Sequence, residues 1–199
     1  MTLETTRILG GLGAILMLIF PFAGSAGLVG IIGLILVLIA LSQLSYHYHE
    51  PGIFNNALYG IITAIIGIAI FAVTITTTAM SFFNALGIEN ITWNDWSALQ
   101  KIDWPKIIGD PNTFFNRFWA EIAMVIIAFV ILFALLIITA LFLRRSFSSV
   151  GAKTGIHAFY TAGMLMLVGA ILSIIVVGFL LIWIAGIFLA IGFFRIKTA

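Results

Sequence analysis

IAMVIIAFVILFALLIITALFL, residues 122–143, is the stretch whose reading decides the fold. It carries no charge, and its one polar side chain is the hydroxyl of Thr139. A helix needs about 20 apolar residues to cross the hydrocarbon of a bilayer, and this run is long enough alone. A barrel strand would alternate apolar and polar residues; nothing alternates here. In lipid every backbone N–H and C=O must be satisfied internally, which a single helix does for itself. The stretch reads as a membrane-spanning helix, extended by its flanks to Trp119–Leu143.

Working outward, five more stretches read the same way: Arg7–Ala23, Gly27–Leu44, Ala57–Met80, Ala158–Val176 and Phe179–Phe194. The expected fold is all-α: one polytopic transmembrane domain, residues 1–199, with six spans. Composition agrees. Hydrophobic residues make up 63% and charged ones 8%, against about a quarter charged in soluble domains. Mean hydropathy is +1.25. Arg7 ahead of an apolar run, with Ala23-Gly24-Ser25-Ala26 after it, imitates a secretory leader; we read it as the first span. The chain has no cysteine, which excludes disulfides, thiolate chemistry and cysteine-ligated metals. A net charge of +2 without a basic cluster leaves no footprint for nucleic acid.

Charge sets the expected orientation. With the N-terminus cytoplasmic, Arg7, Arg144, Arg145, Lys153, Arg195 and Lys197 fall inside, and Lys101, Lys106 and Arg117 fall in one outer loop, Ser81–Phe118. Six against three favours both termini inside. In the loop, Thr92-Trp93-Asn94-Asp95 fits a capping box with Asp for Glu, and Pro105 disfavours helix at Trp104. A short helix is expected from Trp93 to about Asp103, lying on the outer surface with Trp93, Trp96 and Trp104 at headgroup level. Asn90-Ile91-Thr92 is a glycosylation sequon. Asp110-Pro111 reads as N-cap and first residue of the fourth helix, and Glu50-Pro51 can start the third the same way.

Gly13-Ala14-Ile15-Leu16 recurs as Gly169-Ala170-Ile171-Leu172, and Gly33-Leu34-Ile35-Leu36 is echoed by Gly186-Ile187-Phe188-Leu189. The assigned topology makes the two hairpins parallel copies; the competing explanation is that Gly, Ala, Ile and Leu dominate every membrane helix. On the third span, Asn56, Tyr59, Gly60, Thr63, Gly67, Thr74, Thr77 and Thr78 recur at helical spacing. This is read first as a packing face, and alternatively as a solute path lined by threonine hydroxyls.

Ionisable groups inform by scarcity. Carriers that hold a proton or ion place charge in mid-membrane; here only Glu121 lies within a span, two residues past Trp119, with Arg117 one turn earlier as an expected interfacial partner. His47, His49 and His157 all fall at the cytoplasmic face with only Glu50 nearby, so interfacial positions are expected rather than a metal or haem. Gly-x-Ser-x-Gly, the P-loop and His-Glu-x-x-His are absent. No catalytic, cofactor or metal residue is expected.

Thr6-Arg7-Ile8-Leu9-Gly10-Gly11-Leu12-Gly13-Ala14-Ile15-Leu16, with Pro51-Gly52-Ile53-Phe54-Asn55-Asn56-Ala57-Leu58-Tyr59-Gly60, resembles the DUF996 family of archaeal membrane proteins. The resemblance implies an archaeal cytoplasmic membrane and a many-span bundle, and it transfers no activity and no functional residue. The expected function is a non-catalytic accessory, assembly or structural subunit among membrane lipids, packed against a membrane-protein partner or its own copies. The alternatives are a small-solute or lipid-like transporter or channel and, on the Tyr46–His49 cluster, an electron-transfer subunit.

Overall fold

The computed structural model describes residues 2–19, 27–85, 111–175 and 177–197. Its elements are helical: α1 (Leu3–Ile19), α2 (Gly27–His47), α3 (Pro51–Ala85), α4 (Pro111–Thr154), α5 (His157–Ile171), a 3-10 turn (Leu172–Ile174) and α6 (Val177–Phe194). Among the described residues, five helices are long and apolar enough to cross a membrane: α2 to α6, the fifth with its 3-10 turn. The 17 residues of α1 end where the described residues pause.

Of the two prolines expected to open helices, Pro51 does so, and Pro111 is the first described residue of α4, its expected cap Asp110 lying outside the described residues. Their missing N–H is one that the first turn could not use anyway. The third helix does not stop at Met80 but continues to Ala85. The interfacial helix expected from Trp93 to Asp103, with Trp93, Trp96, Trp104 and Asn90, lies outside the described residues.

The chain divides into two compact units, Met1–Ile65 with Phe133–Ala199, and Ile66–Leu132. In the first, α1 and α2 form an antiparallel hairpin so close that no side chain separates the backbones at its centre. A Cβ on Gly13 would stand 2.6 Å from the Gly33 carbonyl oxygen, and one on Gly33 would stand 2.6 Å from that of Gly13. The α5–α6 hairpin has its own glycine contact, Gly169 on Gly178, where an added Cβ would meet backbone at 2.8 Å and 2.3 Å. Helix α1 then runs antiparallel to α6, with the Phe193 ring over Gly10, Phe194 over Gly11 and Leu18 against Gly186. The Trp183 Nε1–H donates to the Leu18 carbonyl at 3.0 Å.

The core of this unit sits toward the end of the bundle that carries the α2–α3 and α4–α5 turns. Leu44, Ile53, Phe147, Val150, Phe159, Phe193 and Ile196 are fully buried there. Phe159 and Phe193 meet edge to face at 5.3 Å. Buried Ser146 donates from Oγ to the Ile53 carbonyl at 2.6 Å, tying α4 to the first turn of α3. In the second unit the paired segments of α3 and α4 bring Phe71 within 4.9 Å of Phe129, and Phe82 within 4.7 Å of Phe118.

Candidate functional site

Three places gather the polar residues that the sequence singles out. The first is the α2–α3 turn. Helix α2 ends in a Schellman motif. The Glu50 N–H bonds the Ser45 carbonyl at 3.0 Å, and the His49 N–H bonds that of Tyr46 at 3.3 Å. The left-handed position between them falls on His49, φ +50°, where glycine is usual. Ser45 adds a bond from Oγ to the Glu50 carbonyl at 2.9 Å. Lys153 pairs with Glu50 at 3.3 Å, both side chains about 40% exposed. The His47 ring meets Tyr48 edge to face at 5.0 Å, and His157 lies 6.2 Å from Tyr160 on α5. Among the described residues no group of three His, Asp or Glu side chains is close enough to hold a metal ion.

The second is the stripe on α3. Gly60, Gly67 and Thr78 are buried; Asn56, Thr63 and Thr74 are half-buried; Tyr59 and Thr77 are exposed. The buried line therefore runs through Ile53, Ala57, Gly60, Gly67 and Thr78, and Tyr59 and Thr77 stand beside it, about 100° around the helix from their neighbours. In the first unit, Gly60 lets α4 approach: a Cβ there would meet the Thr139 carbonyl at 3.2 Å. The threonine hydroxyls turn inward to their own helix. Thr63, Thr74 and Thr77 donate to the carbonyls of Tyr59, Ile70 and Val73 at 2.8 to 2.9 Å. Asn56 Nδ2 does likewise to Gly52 at 2.7 Å. On α4 the Thr139 hydroxyl is buried with no hydrogen-bond partner among the described residues.

The third is in the second unit. Arg117 and Glu121 lie one turn apart on α4, yet no ion pair joins them among the described residues; each reaches α3 instead. The Arg117 guanidinium donates to the Ala85 carbonyl and lies 5.4 Å from the Phe118 ring centroid. Glu121 accepts from Ser81 Oγ at 3.0 Å. Ser81 and Ala85 are themselves one turn apart, so two polar contacts are stacked along the helix pair. Beside them is a cavity of about 350 Å³ walled by Phe82, Phe83, Phe114 and Phe118, with Thr78 and the Glu121 stem at its side. Composition hid this aromatic cluster: its phenylalanines read as span and loop, and only a helix longer than the hydrocarbon brings them together.

A second cavity, about 520 Å³, lies among α1, α5 and α6, walled by Met17, Leu18, Met166, Phe179 and Gly186. It has no charged residue in its wall.

The family model described as a protein of unknown function, DUF996, matches residues 29–187. The chain is 26% identical over 198 residues to the uncharacterized protein MJ1644 of Methanocaldococcus jannaschii, covering 98% of this chain and 94% of that relative. No solved structure matches.

Proposed function

This chain belongs to DUF996, a protein family of unknown function, and from that premise we propose that it is a non-catalytic integral membrane protein, an accessory, assembly or structural subunit that packs against membrane partners. In this reading α1 is a sixth span beside the five long apolar helices. The protein lies in the cytoplasmic membrane with both termini inside and residues 81–118 outside, as the six-against-three distribution of Lys and Arg favours.

The observation that carries the partner reading is a small-residue face on α3 in the second unit. Ala69 and Ala72 are exposed and Thr76 is half-buried, at three- and four-residue spacing. Exposed isoleucines and phenylalanines mean little beside lipid, since lipid tails are as apolar as they are. Small residues differ: they offer lipid no advantage, but they let another helix backbone approach closely. The occupant is a helix of a partner subunit or of a second copy. The transport alternative draws its motive from Thr63, Thr74 and Thr77, whose hydroxyls are already engaged by their own helix, so we prefer docking. Purification from the native membrane into nanodiscs, followed by native mass measurement, tests this. A stoichiometric partner or a homo-oligomer that Ala72→Leu dissociates is expected. A strictly monomeric, partner-free particle refutes it.

A further inference from the structure

The aromatic cavity of the second unit holds a feature that helix docking does not use. Arg117 and Glu121 carry opposite charges one turn apart, about 6 Å along the helix, and do not neutralise each other. A guanidinium has five N–H donors, and Arg117 gives one to the Ala85 carbonyl. A carboxylate has about four acceptor positions, and Glu121 fills one with the Ser81 hydroxyl. Both heads are thus anchored and, among the described residues, retain free capacity. The wall beside them is phenyl and aliphatic: Phe82, Phe83, Phe114 and Phe118 line an open pocket of about 350 Å³, at the small end of ligand pockets. Exposed Trp119, an interfacial residue by type, lies between the two charges in sequence.

We propose that this is a binding site for a zwitterionic phospholipid: one hydrocarbon chain enters the phenylalanine cavity, the phosphate sits on Arg117, and the ammonium of the headgroup sits on Glu121. Charge complementarity selects the occupant. A purely apolar chain would leave both charges unanswered. A simple anion would answer Arg117 while facing the Glu121 carboxylate one turn away. Arginine presents its donors as a fork that matches phosphate oxygens. The larger cavity among α1, α5 and α6 has no charged wall residue, and the Trp183 indole N–H bonds the Leu18 carbonyl; it could take a chain but recognise no headgroup. This proposal is independent of partner docking on Ala69 and Ala72.

The test is native mass spectrometry of the full chain in mild detergent, titrated separately with dioleoyl phosphatidylethanolamine, dioleoyl phosphatidylglycerol and dioleoylglycerol. Phosphatidylethanolamine should bind once per chain and about tenfold more tightly than dioleoylglycerol, about 1.4 kcal/mol for its two charged contacts together. Phosphatidylglycerol should fall between them. Arg117→Gln and Glu121→Gln should each lower phosphatidylethanolamine binding toward the dioleoylglycerol level, and the double variant should bring it down to that level. Ala79→Leu, which fills the cavity wall and leaves both charges in place, should weaken both lipids. Equal retention of the three lipids by the unaltered chain overturns the proposal without any variant having to fold. Undiminished phosphatidylethanolamine binding by both charge variants overturns it as well.

Discussion

Replacing Gly13 by alanine adds one methyl at the tightest point of the α1–α2 hairpin. That Cβ would lie 2.6 Å from the Gly33 oxygen and 2.9 Å from both Leu36 Cβ and Val37 N. None of these is the end of a flexible side chain, so the helices must part, by roughly 0.8 Å to restore ordinary contact distance. A radial gap of 0.5–1 Å forfeits about a quarter to a half of a dispersion well, each well being worth about 0.1–0.2 kcal/mol. About thirty atom pairs around Gly13 and Gly33 would then lose roughly 1–3 kcal/mol together, offset in part by the helix propensity of alanine, better by about 1 kcal/mol; the control variant carries the same propensity gain without the loss. The assay is reversible denaturation in mixed micelles, followed by intrinsic fluorescence, with Gly52→Ala as control. At Gly52 an added Cβ meets only the Glu50 carboxylate at 3.3 Å and the Asn56 amide at 3.6 Å, both able to move, so that variant should be neutral or slightly stabilised. Gly33→Ala should resemble Gly13→Ala, and the double variant should cost less than the sum, because the helices part only once. If Gly13→Ala and Gly52→Ala denature together, the backbone contact does not hold the hairpin and the reasoning fails.

Other outcomes are expected from the same measurement. Ser146→Ala should cost about 1 kcal/mol, the usual net worth of one hydrogen bond, because its bond to the Ile53 carbonyl is fully buried; an unchanged midpoint would mean the bond is replaced. His49→Gly should stabilise by up to about 1 kcal/mol by relieving a left-handed residue with a Cβ, given φ +50°, while His49→Val should destabilise; the reverse order would contradict the Schellman ending. Breaking the Lys153–Glu50 pair with Lys153→Ala should cost no more than about 0.5 kcal/mol, and less in high salt, since exposed pairs are screened; a loss of several kcal/mol would show that the pair is shielded from water.

The helical class, five of the spans and the proline start at Pro51 were legible because each depends on local chain properties: apolar run length and a missing N–H. What depended on partners was not. Hydropathy marks where hydrocarbon ends, not where a helix ends, so the third helix passes Met80 and reaches Ala85. The α3 stripe mixed adjacent Thr77 and Thr78, which point about 100° apart, and only a neighbour decides which is buried. Arg117 and Glu121 have pairing distance in sequence, but across α3 they find the Ala85 carbonyl and the Ser81 hydroxyl. The repeated strings are equally local. Gly13 meets Gly33, but Gly169 meets Gly178, and Gly186 faces Leu18 of α1. In an antiparallel hairpin the turn position sets which residues face each other, and a shared tetrapeptide carries no information about it.

The lengths of the spans bear on where such a protein is comfortable. The apolar parts of α3 and α4, residues 57–80 and 119–143, measure about 36 and 37 Å at 1.5 Å per residue, whereas the 18 residues of α6 measure about 27 Å. Hydrocarbon about 30 Å thick is too thin for the first two and slightly too thick for the third. A flat bilayer of one thickness cannot match all three upright helices, so long helices tilt or the surrounding lipid swells and thins around the same molecule, at a fraction of a kcal/mol per Å. Lipid chain length then becomes a control variable. Thicker membranes should bring α3 and α4 upright, thinner ones should suit α6, and the protein should partition laterally toward whichever thickness leaves the least total deformation.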